Sequence, residues 1–131
     1  MAITQAMCTS FKAELMDEQH DLASDTLKIA LFTSSASLDA TTTAYSTSNE
    51  VSGTGYSAGG ETLTSTTVST TGTTAFFDCD DPTWTSASFT ARGALIYNST
   101  NGDKAIVVLN FGGDFTVSSG TFQIVFPAAG A

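Results

Sequence analysis

Basic residues are scarce in this chain. Lys12, Lys28, Arg92 and Lys104 stand against 13 acidic side chains, a formal charge of −9 at pH 7. That balance repels phosphate backbones and argues against sequence-independent binding to nucleic acid. Apolar runs are short: none approaches the roughly 18 residues of a membrane-spanning helix, so no membrane partner is expected. Histidine occurs once, at His20, which excludes a His-rich metal site. Neither Cys8 nor Cys79 sits in a CxxC motif, and no second cluster is present for zinc. The opening residues carry no basic cluster and no apolar stretch of signal-peptide length, so folding in a reducing cytosol with two free thiols is expected.

What is abundant is Ser and Thr, about three residues in ten, while charged residues make up 13%. Thr suits a half-buried pleated surface. With 131 residues and 41% apolar content, the chain is long enough for one domain with its own core.

The residue pattern predicts a short helix and then strands. Residues 1–9 read as an extended segment. Ser10 is a candidate N-cap for a helix with Phe11 and Leu15 on its buried face and Leu22 further along. Leu27, Ile29 and Leu31 alternate as one face of a strand. Residues 34–60 form a long Ser/Thr-rich connection, read as functional surface because connections of that length are uncommon. Strands are then predicted over 61–68, 73–79 and 85–98, where Gly93 marks a bulge or a close backbone approach. Asn101-Gly102 is the clearest hairpin turn. The returning strand 104–111 is followed by a turn at Gly112-Gly113-Asp114 and by strands at 115–117 and 121–126, the last stopped by Pro127. The expected fold is an all-β, antiparallel β-sandwich of seven or eight strands, jelly-roll-like, with one short N-terminal helix.

Candidate chemistry is thin. Asp78, Asp80 and Asp81 form the one dense acidic cluster, ahead of Pro82 and Trp84. A glycosidase pair or a calcium loop is conceivable there, but EF-hand spacing is lacking. A solvated turn whose carboxylates bond their own backbone accounts for the cluster. His20 follows acidic residues at the end of the predicted helix, which explains it structurally. Trp84, Tyr45 and Tyr56 have the chemistry of sugar-stacking rings, with core packing as the default. No catalytic residues, metal or cofactor are assigned, and an enzyme is not expected.

The segments Phe11-Lys12-Ala13-Glu14-Leu15, His20-Asp21-Leu22 and Asp25 to Thr33 carry a likeness, continued through Leu38-Asp39-Ala40, Thr43-Ala44-Tyr45, Asn49-Glu50-Val51 and Gly53 to Gly60. In these segments, about the first half of the chain, the sequence resembles small virion structural proteins of tailed bacteriophages. Several members of that group are jelly-roll cement or decoration proteins of the phage head. The resemblance implies a non-enzymatic protein, made in the bacterial cytoplasm, that binds the outer surface of the assembled capsid. Its partner would be the major capsid protein; self-association, as a homodimer or, alternatively, a trimer, is expected on separate grounds, from exposed sheet edges and the commonness of two-fold contacts. A tail or fibre component that recognises host carbohydrate is the competing implication. The surfaces expected to serve these contacts are Ile3 and Met7 in the N-terminal segment, Tyr45 and Tyr56 in the long loop, and Trp84. To them is added the weakly charged edge 61–68, with Glu61 and Leu63.

Overall fold

A computed structural model of the chain describes residues 2–126. The elements, in order, are β1 (Ala6–Met7), α1 (Thr9–Met16), β2 (Leu27–Phe32), β3 (Glu61–Thr62), β4 (Thr67–Thr71), β5 (Thr74–Asp78), β6 (Thr83–Asn98) and β7 (Lys104–Gln123). Five strands form one sheet in the order β1-β7-β6-β2-β3, and β4 and β5 form a separate hairpin. All of these strand pairs are antiparallel. The fold is therefore all-β with one short helix. Among the described residues the seven strands divide into two sheets of five and two, consistent with the expected antiparallel β-sandwich.

The centre of the molecule is where β2, β6 and β7 lie side by side. Ile29, Leu31, Leu95 and Val108 are completely buried there. Lys28 hints at an alternating strand, yet Ala30 and Phe32 are as buried as the Ile29 face. Both sides of this part of the sheet are covered. Tyr97 and Asn98 are successive residues of β6 and so point to opposite faces. Tyr45 of the long loop stacks on Tyr97, with centroids 4.5 Å apart. His20, just beyond α1, meets Asn98 at 3.0 Å. Much of the covering layer is thus loop and helix.

The helix and its cap begin two residues earlier than predicted. Cys8 is the N-cap, in an extended conformation and without a side-chain cap bond. Ser10 lies inside the first turn with its hydroxyl buried and no protein partner. Phe11 is buried as expected, but Leu15 remains 43% exposed. Leu15 lies within α1 but faces the open groove between the helix and the β4–β5 hairpin, whereas Leu22, beyond the turn at Glu18, packs against the core.

The predicted strand 61–68 divides in two: Glu61 pairs with Ile29 on the main sheet, whereas Thr67 to Thr71 pair with β5. Conversely, the segments 104–111, 115–117 and 121–123 join into the single strand β7, because β6 runs beside all of them. The expected breaks survive as bulges. Between the pairs Gly93–Asn110 and Ala91–Phe115, β6 advances two residues while β7 advances five. A further extra residue in β7 lies near Ser119, at φ 48°, and one in β6 near Ser86, also at φ 48°. Bulges of this kind bend and twist a ribbon. Gly93 belongs to the first irregularity and also allows close approach, since a Cβ there would lie 2.6 Å from the Leu109 carbonyl oxygen. The hairpin between β6 and β7 turns through residues 99–103 as expected, with Gly102 at φ 69° and Asp103 at φ 57°. The expected stop at Pro127 lies outside the described residues.

Candidate functional site

The 34–60 connection is held by one carboxylate. Glu50 bridges to Phe32 at the end of β2, where the Val51 N–H also donates to the Leu31 carbonyl at 2.9 Å. From there its side chain receives the Tyr45 hydroxyl at 2.7 Å, the Tyr56 hydroxyl, and the Gly59 N–H at 2.8 Å. Tyr56 Oη accepts in turn from the Leu31 N–H at 2.9 Å. Tyr97 donates to the Gly59 carbonyl at 2.7 Å. Gly60 is forced by this arrangement, because a Cβ there would stand 1.8 Å from the Ile29 carbonyl oxygen.

Burial first, and the Glu50 carboxylate second, raise the Tyr45 and Tyr56 phenols far above their ordinary value. Burial likewise pushes Tyr97 up to about 12. Phenols in this state remain neutral donors, so the cluster acts as a clasp. Tyr45 and Tyr56 are half-buried and turn their polar ends inward.

A second network surrounds Asn98, which is fully buried. Its amide nitrogen reaches Asp25 at 2.8 Å and His20 Nδ1 at 3.0 Å, and its oxygen accepts from the N–H groups of Thr100 and Asn101. Since the amide nitrogen only donates, this geometry assigns the His20 proton to Nε2, which then donates to Glu14 at 2.9 Å. Phe11 stands edge-on to the imidazole at 5.0 Å. The Asp21 N–H, and after it Asn98, hold the Asp25 carboxyl below the usual carboxylate range. His20 is therefore tied on both nitrogens.

The acidic cluster is also occupied, though not by its own backbone. Asp80 accepts from the hydroxyls of Ser65 at 2.8 Å and Thr64 at 3.3 Å, and Asp81 accepts from the Phe126 N–H at 2.9 Å. These bonds tie the base of the β4–β5 hairpin to the chain on either side. Burial, followed by Asp78, Asp80 and Asp81, raises the Cys79 thiol to about 11. Among the described residues no three His, Cys, Asp or Glu side chains converge as metal ligands.

The residues expected to offer surface divide sharply. Trp84 is 1% exposed, packed against Tyr56 and Phe122 with no protein acceptor for its indole N–H. Ile3 and Leu63 are also buried in the chain's own core: Ile3 packs on Gly93, and the Leu63 N–H bonds the Leu27 carbonyl. These three present no surface on this chain. Glu61 and Met7 do, and Met7 is 48% exposed.

Among the described residues, two apolar grooves carry surface that, Met7 apart, sequence reading missed. One, of about 740 Å³, separates α1 from the β4–β5 hairpin and is lined by Met7, Phe11, Leu15, Val68, Phe76 and Phe77, with Glu18, His20 and Asp21 at its polar side. The other, of about 480 Å³, runs along β7 beside Phe111, Phe115, Val117, Phe122 and Ile124. Alternation along 115–117 and 121–126 was the available signal for the second. The first depends on α1 and a hairpin meeting across fifty residues of sequence, which no local pattern encodes. Compared with protein-family models, with characterised proteins and with solved structures, the chain matches none.

Proposed function

We propose that this chain is a non-enzymatic virion component that binds the outer surface of an assembled phage capsid and cements it. The observation that carries the reading is the groove between α1 and the β4–β5 hairpin, where Met7, Leu15 and Val68 leave apolar surface open beside acidic side chains. Such a combination fits an apolar ridge flanked by basic groups on a partner protein. The likeness of residues 11–60 to phage virion proteins supplies the identity of that partner, the major capsid protein. Ionisable groups that a catalytic reading would need are bound into structural networks: His20 by Glu14 and Asn98, Asp80 and Asp81 by the chain around the β4–β5 hairpin. A ligand that binds only the assembled shell stabilises assembly by linkage.

Co-sedimentation with purified heads tests this. The protein is expected to pellet with assembled shells and not with isolated capsid subunits, and Met7→Glu or Leu15→Glu is expected to abolish pelleting. Equal binding to subunits, or retention by both variants, overturns the assignment. Carbohydrate recognition by a tail component is the alternative, and selective binding on a glycan array would establish it. The rings expected to stack on sugar do not favour that reading, because Trp84 is buried and the hydroxyls of Tyr45 and Tyr56 are turned in to Glu50.

A further inference from the structure

In the half of the β6–β7 hairpin farthest from its turn, the two strands alternate in register. Trp84, Ala87, Phe89 and Ala91 of β6 share one face with Phe115, Val117 and Phe122 of β7, opposite Thr85, Thr90 and Thr116. On the β6 side this apolar face is completely covered, because Tyr56 packs against Trp84 and Phe89. On the β7 side the cover stops, as far as the described residues go. Phe115 is 52% exposed and Val125 70%, and the groove opens between them.

Charge says what fits there. Residues 115–126 contain no ionisable side chain, in a chain of net charge −9. At one end of the strip Arg92 and Asp114 neutralise each other at 2.8 Å, and at the other the Asp81 carboxylate is bonded to the Phe126 N–H at 2.9 Å. Two copies of this acidic chain repel over most of their surfaces, and a strip with no ionisable side chain of its own is where they approach at reduced cost. A basic partner would gain nothing from a neutral strip. The bulge at Ser119 interrupts the β7 edge, which discourages a continuous intermolecular ladder and leaves the side chains to make the contact.

We infer that two copies associate about a two-fold axis through this groove, packing Phe115, Phe122 and Val125 of one against those of the other. Each copy then supplies the apolar layer that the other's β7 lacks. The inference goes beyond capsid binding and does not rest on it, since it places self-association on a surface separate from the α1 groove.

Sedimentation equilibrium on the full chain decides the matter. A dimer in the micromolar range is expected, tightening as sodium chloride rises and screens the repulsion. Phe115→Glu and Val125→Glu are each expected to weaken it at least tenfold, because each buries a charge in an apolar contact. Thr90→Glu adds the same charge to the opposite face and leaves the dimer intact; melting curves establish that each variant is folded. A monomer at high micromolar concentration, a higher oligomer, or a dimer that survives both groove variants overturns the inference. So does equal loss in Thr90→Glu. If the chain is monomeric and Phe115→Glu instead abolishes pelleting with heads, the groove belongs to the capsid contact, and only the self-association is refuted.

Discussion

Glu50 and Tyr45 lie five residues apart and are joined at 2.7 Å, with Tyr56 on the other carboxylate oxygen, so that one side chain closes a 27-residue connection upon β2. Three donors converge on a half-buried carboxylate, and charge-assisted bonds of that kind are stronger than neutral ones. Glu50→Ala is expected to cost about 3 kcal/mol. Glu50→Gln keeps one good acceptor and is expected to cost about half as much. Urea titration measures both, and hydrogen exchange is expected to show lost protection centred on 45–60.

The same clasp predicts the alkaline limit of the fold. Tyr97 is raised to about 12, and Tyr45 and Tyr56 move in the same direction. A phenol ionises near 10 in the unfolded chain. Above that pH the unfolded state has released protons that the native state retains, so stability falls as pH rises. The contribution is fully present below pH 10 and is lost as pH climbs through about 12. The chain has three tyrosines. Phenolate absorbance is expected to appear together with the loss of β-sheet circular dichroism, and not as an independent titration near pH 10.

Elements whose cause is local were legible in sequence. Asn101-Gly102 makes its hairpin because the turn depends on adjacent residues, and Gly93 marks its irregularity because no Cβ fits beside Leu109. The breaks at Gly112-Gly113 and near Ser119 were also visible, but their meaning was not. They read as strand ends, whereas β6 continues alongside and converts them into bulges. Ser10 looked like a cap because its residue type favours one, yet Cys8, whose N–H bonds the Ile106 carbonyl at 2.9 Å, starts the helix. Nothing local marked Glu50 as a hub in a Ser/Thr-rich stretch without periodicity. Trp84, for which core packing was the default, and Leu63, on the weakly charged edge 61–68, were both offered as contact surface, and burial of alternate residues is decided by what packs from elsewhere.

Both thiols are expected to resist modification in the native protein. Cys8 is completely buried, and burial followed by the Asp39 and Glu14 charges raises it. Cys79 is raised to about 11 by burial and three neighbouring carboxylates. Since the thiolate is the reactive form, a disulfide reagent at pH 8 is expected to label neither within minutes and both after addition of guanidinium. Prompt labelling of Cys79 alone would mean that the β4–β5 hairpin opens locally.

Asn98 offers the sharpest test of whether His20 is structural. Its amide donates to Asp25 and His20, while its carbonyl fixes the first turn of the β6–β7 hairpin through Thr100 and Asn101. Asn98→Ala strands these groups and is expected to cost about 3 kcal/mol, lowering the melting temperature by about 10 °C. Asn98→Asp keeps the acceptor for the hairpin turn but sets a second carboxylate where Asp25 already accepts. At neutral pH it is therefore expected to be at least as damaging as alanine. As pH falls and the new carboxyl gains a proton it becomes a donor again, so the aspartate variant should recover relative to alanine between about pH 6 and 4. Parallel losses at every pH would mean that the Asp25 contact contributes little, and that the hairpin turn accounts for the whole effect.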